Sequence, residues 1–362
     1  MKKATVAVLL ILSGIRPALA GAPGKRIQAF CIDFNWSEGG PNGFAPPGLW
    51  ADADPAEHVA WYQALGANVI QTFAVSCNGY AWYKYGKIVP PQPGLKHDFL
   101  PEMVKLGHAR GLKVMGYFCI AANTRWGLLH PDLSYGAPSD CHIPLTTAYL
   151  DFLCDSITEA LAISGMDGFM IDWVWNPRRP QGRWLDAEKR MFKELMGKKF
   201  SGEGQVAKEE LLTYERRAID RCWTRIHTAA KRVRRTCVIW LSCNSLPDPT
   251  VANSKMFREV DWLMNEAGDL RQLAQVRAMA GRKTQLVTCL VGWGDAHNAR
   301  AVLSDPASAG LAVYGFVKPQ ADSLPPPVRG YLGKPIDDFK GNDRNIATLA
   351  RFFNGLAFDT VK

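Results

Sequence analysis

Residues 168–173 read Gly-Phe-Met-Ile-Asp-Trp, a short apolar run that ends in a carboxylate and an aromatic side chain. A run that is hydrophobic at nearly every position is typical of a strand in a parallel sheet, because both faces of such a strand are buried. The amphipathic residues 146–163 precede it and stop before Gly165, which predicts a helix that delivers the chain to the strand. The stretch therefore predicts one helix–strand unit of an α/β fold.

The same alternation of an apolar run and a helical segment recurs along the chain. Eight runs are predicted as strands: residues 27–34, 69–75, 114–120, 168–173, 237–241, 260–264, 284–291 and 312–317. Eight strand–helix units with right-handed crossovers close into a barrel. The sequence thus predicts a single-domain (β/α)₈ TIM barrel. The alternative is a doubly wound open sheet, but the turn at residues 35–40 lacks its G-x-G-x-x-G pattern, so no cofactor is expected.

The N-terminus has the pattern of an export signal. Lys2 and Lys3 precede the apolar residues 4–12, and Ala18-Leu19-Ala20 fits a small-x-small cleavage site. We expect residues 1–20 to be a signal peptide and residues 21–362 to form the barrel of a secreted or periplasmic protein. No later stretch is long and apolar enough to cross a membrane, so no membrane association is expected after cleavage. Export also argues against a nucleic-acid partner.

The chain carries a net charge of +9 and nine cysteines. A basic stretch at residues 231–235, with arginines upstream, is interpreted as a solvated helix face, and binding to an acidic polymer is the alternative. Since nine is odd, at least one cysteine lies outside any intramolecular disulfide. Cys31, Cys119, Cys237 and Cys289 lie in apolar runs and are predicted to be small buried hydrophobes. Disulfides that involve Cys77, Cys141 or Cys154 stay open.

The active site of such a barrel lies at the C-terminal ends of its strands. The residues there mix carboxylates, amides and several of the chain's 12 tryptophans. Carboxylates and amides hydrogen-bond hydroxyl groups, and flat aromatic rings stack on the faces of sugars, so this mixture predicts a carbohydrate site. The residues predicted to bind substrate are Asp33, Asn35, Trp36, Asn78, Tyr80, Asn123, Arg125, Trp126, Trp173, Trp175, Asn244, Trp293 and Lys318.

Cleavage of a glycosidic bond requires two carboxyl groups, one as nucleophile or base and one as acid. Asp172 is the predicted nucleophile, because a carboxylate at the end of an apolar strand is costly unless it has a purpose. Glu266, after the sixth strand, is the predicted acid/base. Asp295 is the reserve, and Asp33 is a third option that could instead bind hydroxyls. No H-x-H after the first strand, H-E-x-x-H or G-x-S-x-G occurs, which disfavours metal hydrolases and serine esterases.

Three stretches resemble the catalytic barrels of the family 29 α-L-fucosidases and related retaining glycosidases. They are residues 66–69, residues 111–117 continuing to Trp126, and residues 149–173. The resemblance implies that Asp172 is the nucleophile and that Glu266 is the acid/base. The sequence departs from that family after the second strand, where residues 76–80 read Ser-Cys-Asn-Gly-Tyr in place of a His-His-Asp-Gly-Phe type of motif. Those histidines help to recognise fucose, so another terminal sugar stays open.

We therefore predict a retaining exo-glycosidase that removes a terminal sugar, in fucosidase-like fashion, from oligosaccharides or glycoprotein glycans. A second interpretation is a sialidase or another hydrolase of acidic glycan caps, with a positive subsite made by Arg125, Arg178, Arg179 and Lys318. A third is a barrel that binds glycans without cleaving them.

Overall fold

The computed structural model describes residues 26–36, 43–136, 142–174, 179–243, 249–265, 270–290, 305–316 and 353–354. Within these residues, eight parallel strands pair in chain order and the eighth pairs with the first, so the sheet closes. The predicted (β/α)₈ barrel is confirmed, and the open-sheet alternative is wrong. The strands are β1 (Ile27–Asp33), β2 (Val69–Gln71), β3 (Lys113–Cys119), β4 (Gly168–Asp172), β5 (Val238–Cys243), β6 (Trp262–Asn265), β7 (Gln285–Leu290) and β8 (Gly310–Phe316).

The helices lie between the strands. They are α1 (Pro55–Leu65), α2 (Phe99–His108), α3 (Thr124–Leu129), α4 (Thr147–Ser164), α5 (Asp186–Met196), α6 (Lys208–Val233), α7 (Pro249–Ala252), α8 (Lys255–Glu259) and α9 (Leu270–Met279). The sequence also predicts that α1 begins after Asp54 and ends at Gly66, and these ends and the stop at Gly165 are confirmed. The Asp54 side chain accepts from the first turn of α1, and Gly66 and Gly165 adopt the left-handed conformation that ends α1 and α4. The predicted signal peptide at 1–20 lies outside the described residues. The sequence also predicts helices at residues 297–303 and 345–356, and these lie outside the described residues as well, except for residues 353–354. Among the helices described, none is both long and apolar enough to span a bilayer.

The second strand ends earlier than predicted. It stops at Gln71 rather than at Val75, although the chain still runs along β3, because the Ala74 and Val75 amides both donate to the Tyr117 carbonyl and so break the regular register. The chain then folds back on itself. Val75 forms an antiparallel bridge with Ala81, and the Trp82 amide donates to the Ala74 carbonyl at 3.0 Å. The turn of this hairpin lies over the C-terminal end of the barrel, beside the ends of β1 and β3.

Aromatic packing holds the upper end of β1. Phe34, which directly follows β1, stacks on Trp82 with ring centroids 4.4 Å apart and meets Phe99 edge-on at 5.7 Å. All three rings are fully or almost fully buried. Offset and edge-on contacts of this kind add to the stabilisation from burial alone. The position of Asp33, the residue before Phe34, is therefore fixed by the core.

At the opposite end of the barrel, the residue before each of β2, β4 and β6 bonds back to the strand before it. A side-chain oxygen of Asn68 accepts from the Gln28 amide (2.8 Å), one of Asp167 from the Val114 amide (2.9 Å) and one of Asp261 from the Ile239 amide (2.9 Å). Asp167 also contacts His108 at 2.8 Å, and Asp261 pairs with Lys231 at 2.9 Å. The three bonds from strand amides to the side chains of Asn68, Asp167 and Asp261 are called the basal ties below. They satisfy strand amides that would otherwise lack a partner.

The cysteine predictions are partly confirmed. Cys31 and Cys237 are buried thiols, as expected. The prediction for Cys119 is wrong, because it forms a disulfide with Cys77 across a Cα–Cα distance of 5.8 Å. Cys77 is one of the three cysteines left open for a disulfide, and the hairpin after β2 brings it to the end of β3; Cys154, another of the three, is a free thiol. Cys141 and the side chain of Cys289 lie outside the described residues.

The basic residues of and after α6 are divided between a solvated face and tethers. Arg232 and Arg235 are exposed, as expected of a solvated face, whereas other arginines bond to neighbouring segments. Arg217 donates to the Leu195 carbonyl at 2.7 Å, and Arg221 donates to the Leu145 carbonyl at 2.6 Å. Arg234, just after α6, donates to the Gly165 carbonyl at 2.6 Å. Guanidinium groups have several donors in a planar fork, so one side chain can join two helix ends.

Candidate active site

Asp172 ends β4 and points its carboxylate into the mouth of the barrel. One oxygen, Oδ1, accepts the Trp173 backbone amide at 2.7 Å, and the other, Oδ2, accepts the Tyr117 hydroxyl of β3 at 2.8 Å. Burial raises the pKa of Asp172, and the two hydrogen bonds oppose this effect by stabilising the ionised form. The carboxylate is thus desolvated but held in a defined orientation, as a nucleophile requires.

Trp173 has a backbone φ of 51°, which is unusual for a side chain of its size. The strained residue is held on its neighbour strand: the Ala121 amide donates to the Trp173 carbonyl at 3.1 Å, and the Ile120 amide donates to the Asp172 carbonyl at 2.8 Å. Strain of this kind persists only where the surroundings impose it, and it is often found at functional sites. Here it turns the chain so that the Trp173 amide reaches the carboxylate of the residue before it.

Asp33 ends β1 and brings a second carboxyl group to the same mouth. Its Oδ1 accepts the Asn35 amide at 2.8 Å, and its Oδ2 accepts the Trp36 indole N–H at 3.2 Å. Burial raises the pKa of Asp33 to about 7, and the negative charge of Asp172 contributes to the rise. The two acids are therefore close enough to influence each other's ionisation, and Asp33 holds a proton at a pH where an ordinary aspartate does not.

Three partly exposed aromatic side chains lie between the two acids. The ring of Trp36 is 5.5 Å from that of Phe44 and 6.0 Å from that of Trp173, and Phe44 meets Trp173 edge-on at 5.3 Å. Trp36 and Phe44 also form an antiparallel bridge. This aromatic patch can contact the apolar face of a sugar ring. Phe44 was missed in the sequence because it follows no strand. Tyr117 was missed because it lies inside an apolar run, although it is two residues from the strand end and so shares its face.

Three amides that we predicted to bind hydroxyl groups are instead committed to the loops. Each is buried, and each bonds to nearby main chain: Asn35 accepts from the Cys77 amide (2.9 Å), Asn78 donates to the Ala45 carbonyl (3.2 Å), and Asn123 accepts from the Trp126 amide (2.8 Å). Loops packed over a barrel must satisfy their own polar main-chain groups, and short amides do this well. These contacts leave the three amides little capacity to bind substrate.

Two further predicted roles do not fit the packing. Trp126 is buried, stacks on His130 at a centroid distance of 4.1 Å, and so presents no free face to a sugar. Arg179 cannot form an anionic subsite, because its buried guanidinium is paired with Glu188 at 2.6 Å and Glu215 at 3.3 Å. The central carbon of the Arg179 guanidinium also lies over the ring of Trp184, 3.9 Å from the centre of that ring.

Tyr80 and Arg125 stay candidates for substrate binding. Both side chains are partly exposed, and the Arg125 guanidinium lies 5.8 Å from the centre of the Tyr80 ring. The remaining predicted site residues lie outside the described part of the chain: Glu266, Asp295, Trp175, Arg178, Asn244, Trp293 and Lys318. Their roles stay predictions.

A protein-family model described as Hypothetical glycosyl hydrolase 6 matches residues 54–173. The match begins just before α1 and includes Tyr117, Asp172 and Trp173, and it leaves Asp33 outside. It confirms the predicted resemblance of this part of the chain to glycoside hydrolases. No curated protein matches the sequence.

Among solved structures, the chain is similar to alpha-L-fucosidase isoenzyme 2 from Paenibacillus thiaminolyticus, with a TM-score of 0.64 and 14% identity over 91% of this chain and 49% of the other. The chain thus spans about half the length of that enzyme. An alpha-L-fucosidase from Bacteroides thetaiotaomicron matches with a TM-score of 0.48 and 14% identity, over 90% of this chain and 71% of the other. An Anoxybacillus alpha-amylase matches with a TM-score of 0.49 and 12% identity, over 91% and 78%. With a TM-score of 0.64 at 14% identity, the Paenibacillus enzyme supports the barrel fold.

Proposed function

We propose that this chain is an exported, retaining glycoside hydrolase that removes a terminal sugar from oligosaccharides or glycoprotein glycans, with Asp172 as its nucleophile. The observation that carries the proposal is the Asp172 carboxylate, desolvated at the barrel mouth and oriented by Tyr117 and by its own neighbour's amide. The family match over residues 54–173 supports the enzyme class.

The environment of Asp172 suits covalent catalysis. A buried carboxylate is poorly solvated, and it loses its charge when it bonds to the anomeric carbon. The hydrogen bonds from Tyr117 and Trp173 favour the ionised carboxylate against the effect of burial and hold it in line. A second carboxylic acid donates a proton to the leaving oxygen as the glycosidic bond breaks. Its conjugate base then takes a proton from water, and this water releases the sugar from Asp172.

Glu266 is our candidate for that acid, on the strength of its place after β6 and of the family resemblance. Asp33 is the alternative. Burial raises the pKa of Asp33 to about 7, so it is partly protonated near neutral pH; burial also raises the pKa of Asp172, and the two hydrogen bonds to Asp172 oppose that rise. A carboxyl group that keeps part of its protonated form near neutral pH can serve as a general acid. A protonated Asp33 that instead donates to a substrate hydroxyl fits the same geometry.

The substrate proposal rests on the aromatic patch of Trp36, Phe44 and Trp173, which can contact the apolar face of a terminal sugar. The neighbour from Paenibacillus is named as a fucosidase, so fucose is the first sugar to test. Acidic caps such as sialic acid are the second, because Arg125 places a cation beside Tyr80 on the loops after β2 and β3. Glycan binding without cleavage is the third candidate.

The test is product analysis by mass spectrometry after the mature protein has been incubated with a mixed pool of neutral and sialylated oligosaccharides. We expect loss of one terminal sugar with wild type and no loss with Asp172→Asn. Asp132→Asn, at an exposed acid in the turn between α3 and α4, is the matched control and should behave as wild type. Saturable binding with no product from wild type would favour the binding-only interpretation.

A chemical rescue separates the nucleophile from a structural acid. In Asp172→Ala the space of the carboxylate is free, so azide should restore cleavage of an activated aryl glycoside and give a glycosyl azide. Absence of the azide product, with folding intact, would contradict the assignment of Asp172. N-terminal sequencing of the protein recovered after export tests cleavage before Gly21.

A further inference from the structure

A continuous series of contacts runs around the barrel mouth from Asp33 to Asp172, and a disulfide lies in the middle of it. On the β1 side, the Asn35 amide donates to Asp33 at 2.8 Å, and the Asn35 side chain accepts the Cys77 amide at 2.9 Å. Cys77 is bonded covalently to Cys119 at the end of β3. The first acid is therefore joined to the disulfide through two hydrogen bonds.

The second half of the series leads from the disulfide to Asp172. Cys119 and Asp172 are paired in the register of β3 and β4, so their side chains lie on the same face. The Cys119 sulphur is 3.5 Å from the Tyr117 hydroxyl, and that hydroxyl donates to Asp172 at 2.8 Å. Tyr117 is thus held between the disulfide and the carboxylate.

The connecting side chains are all shielded from water. Cys77 is fully buried, and Asn35, Tyr117 and Cys119 are each 2–6% exposed. In a close-packed interior a displaced group leaves a gap or a strained neighbour rather than a site that water refills freely. A change at the disulfide must therefore be taken up by Tyr117 and Asn35.

We propose that the Cys77–Cys119 disulfide is a positioning element of the active site, which fixes the Tyr117 hydroxyl against Asp172 and the Asn35 loop against Asp33. The proposal rests on the proposed function, in that Asp172 is taken to be the nucleophile. It assigns the disulfide a task beyond the general stabilisation that any such bond gives by restricting the unfolded chain.

The test compares Cys77→Ala/Cys119→Ala with Tyr117→Phe and with the triple variant. The measurements are kcat, KM and the pH profile of kcat/KM at a temperature where each variant is folded. The groups that face Asp172 and bear on its ionisation are Tyr117 on β3 and Asp33 on β1. Because the Tyr117 hydrogen bond lowers the pKa of Asp172, its loss should move the acidic limb of the profile upward by about one pH unit and lower kcat about tenfold.

If the disulfide acts through Tyr117, the cysteine double variant should reproduce much of that change, and adding Tyr117→Phe to it should have little further effect. Such non-additivity is expected only of groups that act together. Cys237→Ala is the matched control, because Cys237 is a buried thiol before β5 at the opposite end of the barrel. It should lower the melting temperature and leave the pH profile unchanged.

A purely stabilising disulfide gives a different result. The cysteine double variant would then lose melting temperature, keep the wild-type kcat and pH profile, and add fully to Tyr117→Phe, which would overturn the proposal. Should that variant not fold, Asn35→Ala offers a second test. It keeps the disulfide and the backbone bond from residue 35 to Asp33, but it removes the side-chain oxygen that accepts the Cys77 amide, so the disulfide is no longer joined to Asp33. We expect Asn35→Ala to change the pH profile as well, and an unchanged profile would equally overturn the proposal.

A readout without substrate separates this inference from the proposed function. Carboxyl ¹³C NMR follows the ionisation of Asp33 and Asp172 directly, in wild type and in the same variants. If no glycan is cleaved by wild type, the proposed function fails, yet the two titrations should still move when the disulfide is removed. If turnover is normal and the titrations do not move, the positioning role alone fails.

Discussion

Replacement of Asp33 by asparagine should make the protein more stable at alkaline pH and less active. The pKa of Asp33 in the folded protein, about 7, lies about 3 above that of an aspartate in an unfolded chain. An acid whose pKa is raised by folding contributes fully to stability only below about pH 4, where it is protonated in both the folded and the unfolded chain. That contribution is lost as the pH rises from about 4 to about 7, and it amounts to about 4 kcal/mol, at about 1.4 kcal/mol per pH unit.

The expected change can be expressed as a melting temperature. The entropy of unfolding is about 2.1 cal/mol/K per residue, so for this chain of 362 residues 4 kcal/mol corresponds to about 5 °C. The asparagine side chain of the variant would keep an acceptor for the Asn35 amide but would lose the bond from Trp36, and that loss is the same at every pH. The difference in melting temperature between Asp33→Asn and wild type at pH 8, minus the same difference at pH 4, therefore isolates the effect of the Asp33 charge.

The assay is thermal unfolding by circular dichroism at pH 4, 6 and 8, with Asp52→Asn at an exposed position as control. We expect the variant to gain on wild type steadily between pH 4 and pH 8, up to about 5 °C, while the control shows no such trend. A difference that does not depend on pH would refute the reasoning, because it would mean that Asp33 is ionised in the fold like an ordinary surface acid.

Two further predictions concern stability alone. Glu188→Gln leaves the buried Arg179 without its closest carboxylate and should lower the free energy of unfolding by about 3–5 kcal/mol, whereas Glu194→Gln, in an exposed pair, should change it by less than about 1 kcal/mol; denaturation in urea measures both. Asp167→Asn removes the charge that faces His108 at the base of the barrel and should cost about 1–2 kcal/mol without altering kcat; a loss of turnover in fully folded protein would contradict this separation.

The sequence was sufficient to predict the barrel because the signals involved are local. Buried parallel strands are apolar runs, and helix ends carry their own marks, as Asp54 and Gly165 illustrate. The end of β2 was misjudged because an apolar run looks the same whether or not its pairing stays regular. Residues 72–75 still contact β3, but the Ala74 and Val75 amides share one carbonyl and Val75 pairs with Ala81 instead, so the regular strand has ended.

The site was less predictable, because its chemistry depends on which strand ends face one another. Asp172 could be found from its own strand, but its relation to Asp33 appears only when β1 and β4 share one mouth. Asn35 was assigned to substrate by residue type, and only the packed loop reveals that its oxygen is used by the Cys77 amide. A buried arginine and an exposed one likewise look the same in a sequence, so Arg179 was misassigned.

The basal ties have a consequence for how the barrel could be divided. Asn68 joins β2 to β1, Asp167 joins β4 to β3, and Asp261 joins β6 to β5, so each of these ties stays within one pair of consecutive strands. A break in the chain between β4 and β5 would leave all three intact. Two fragments cut there would each retain their internal ties, with Asp33 and Asp172 on the first fragment and Glu266, after β6, on the second. The chain is in this sense suited to fragment complementation, in which turnover would report that the two halves of the barrel have reassembled.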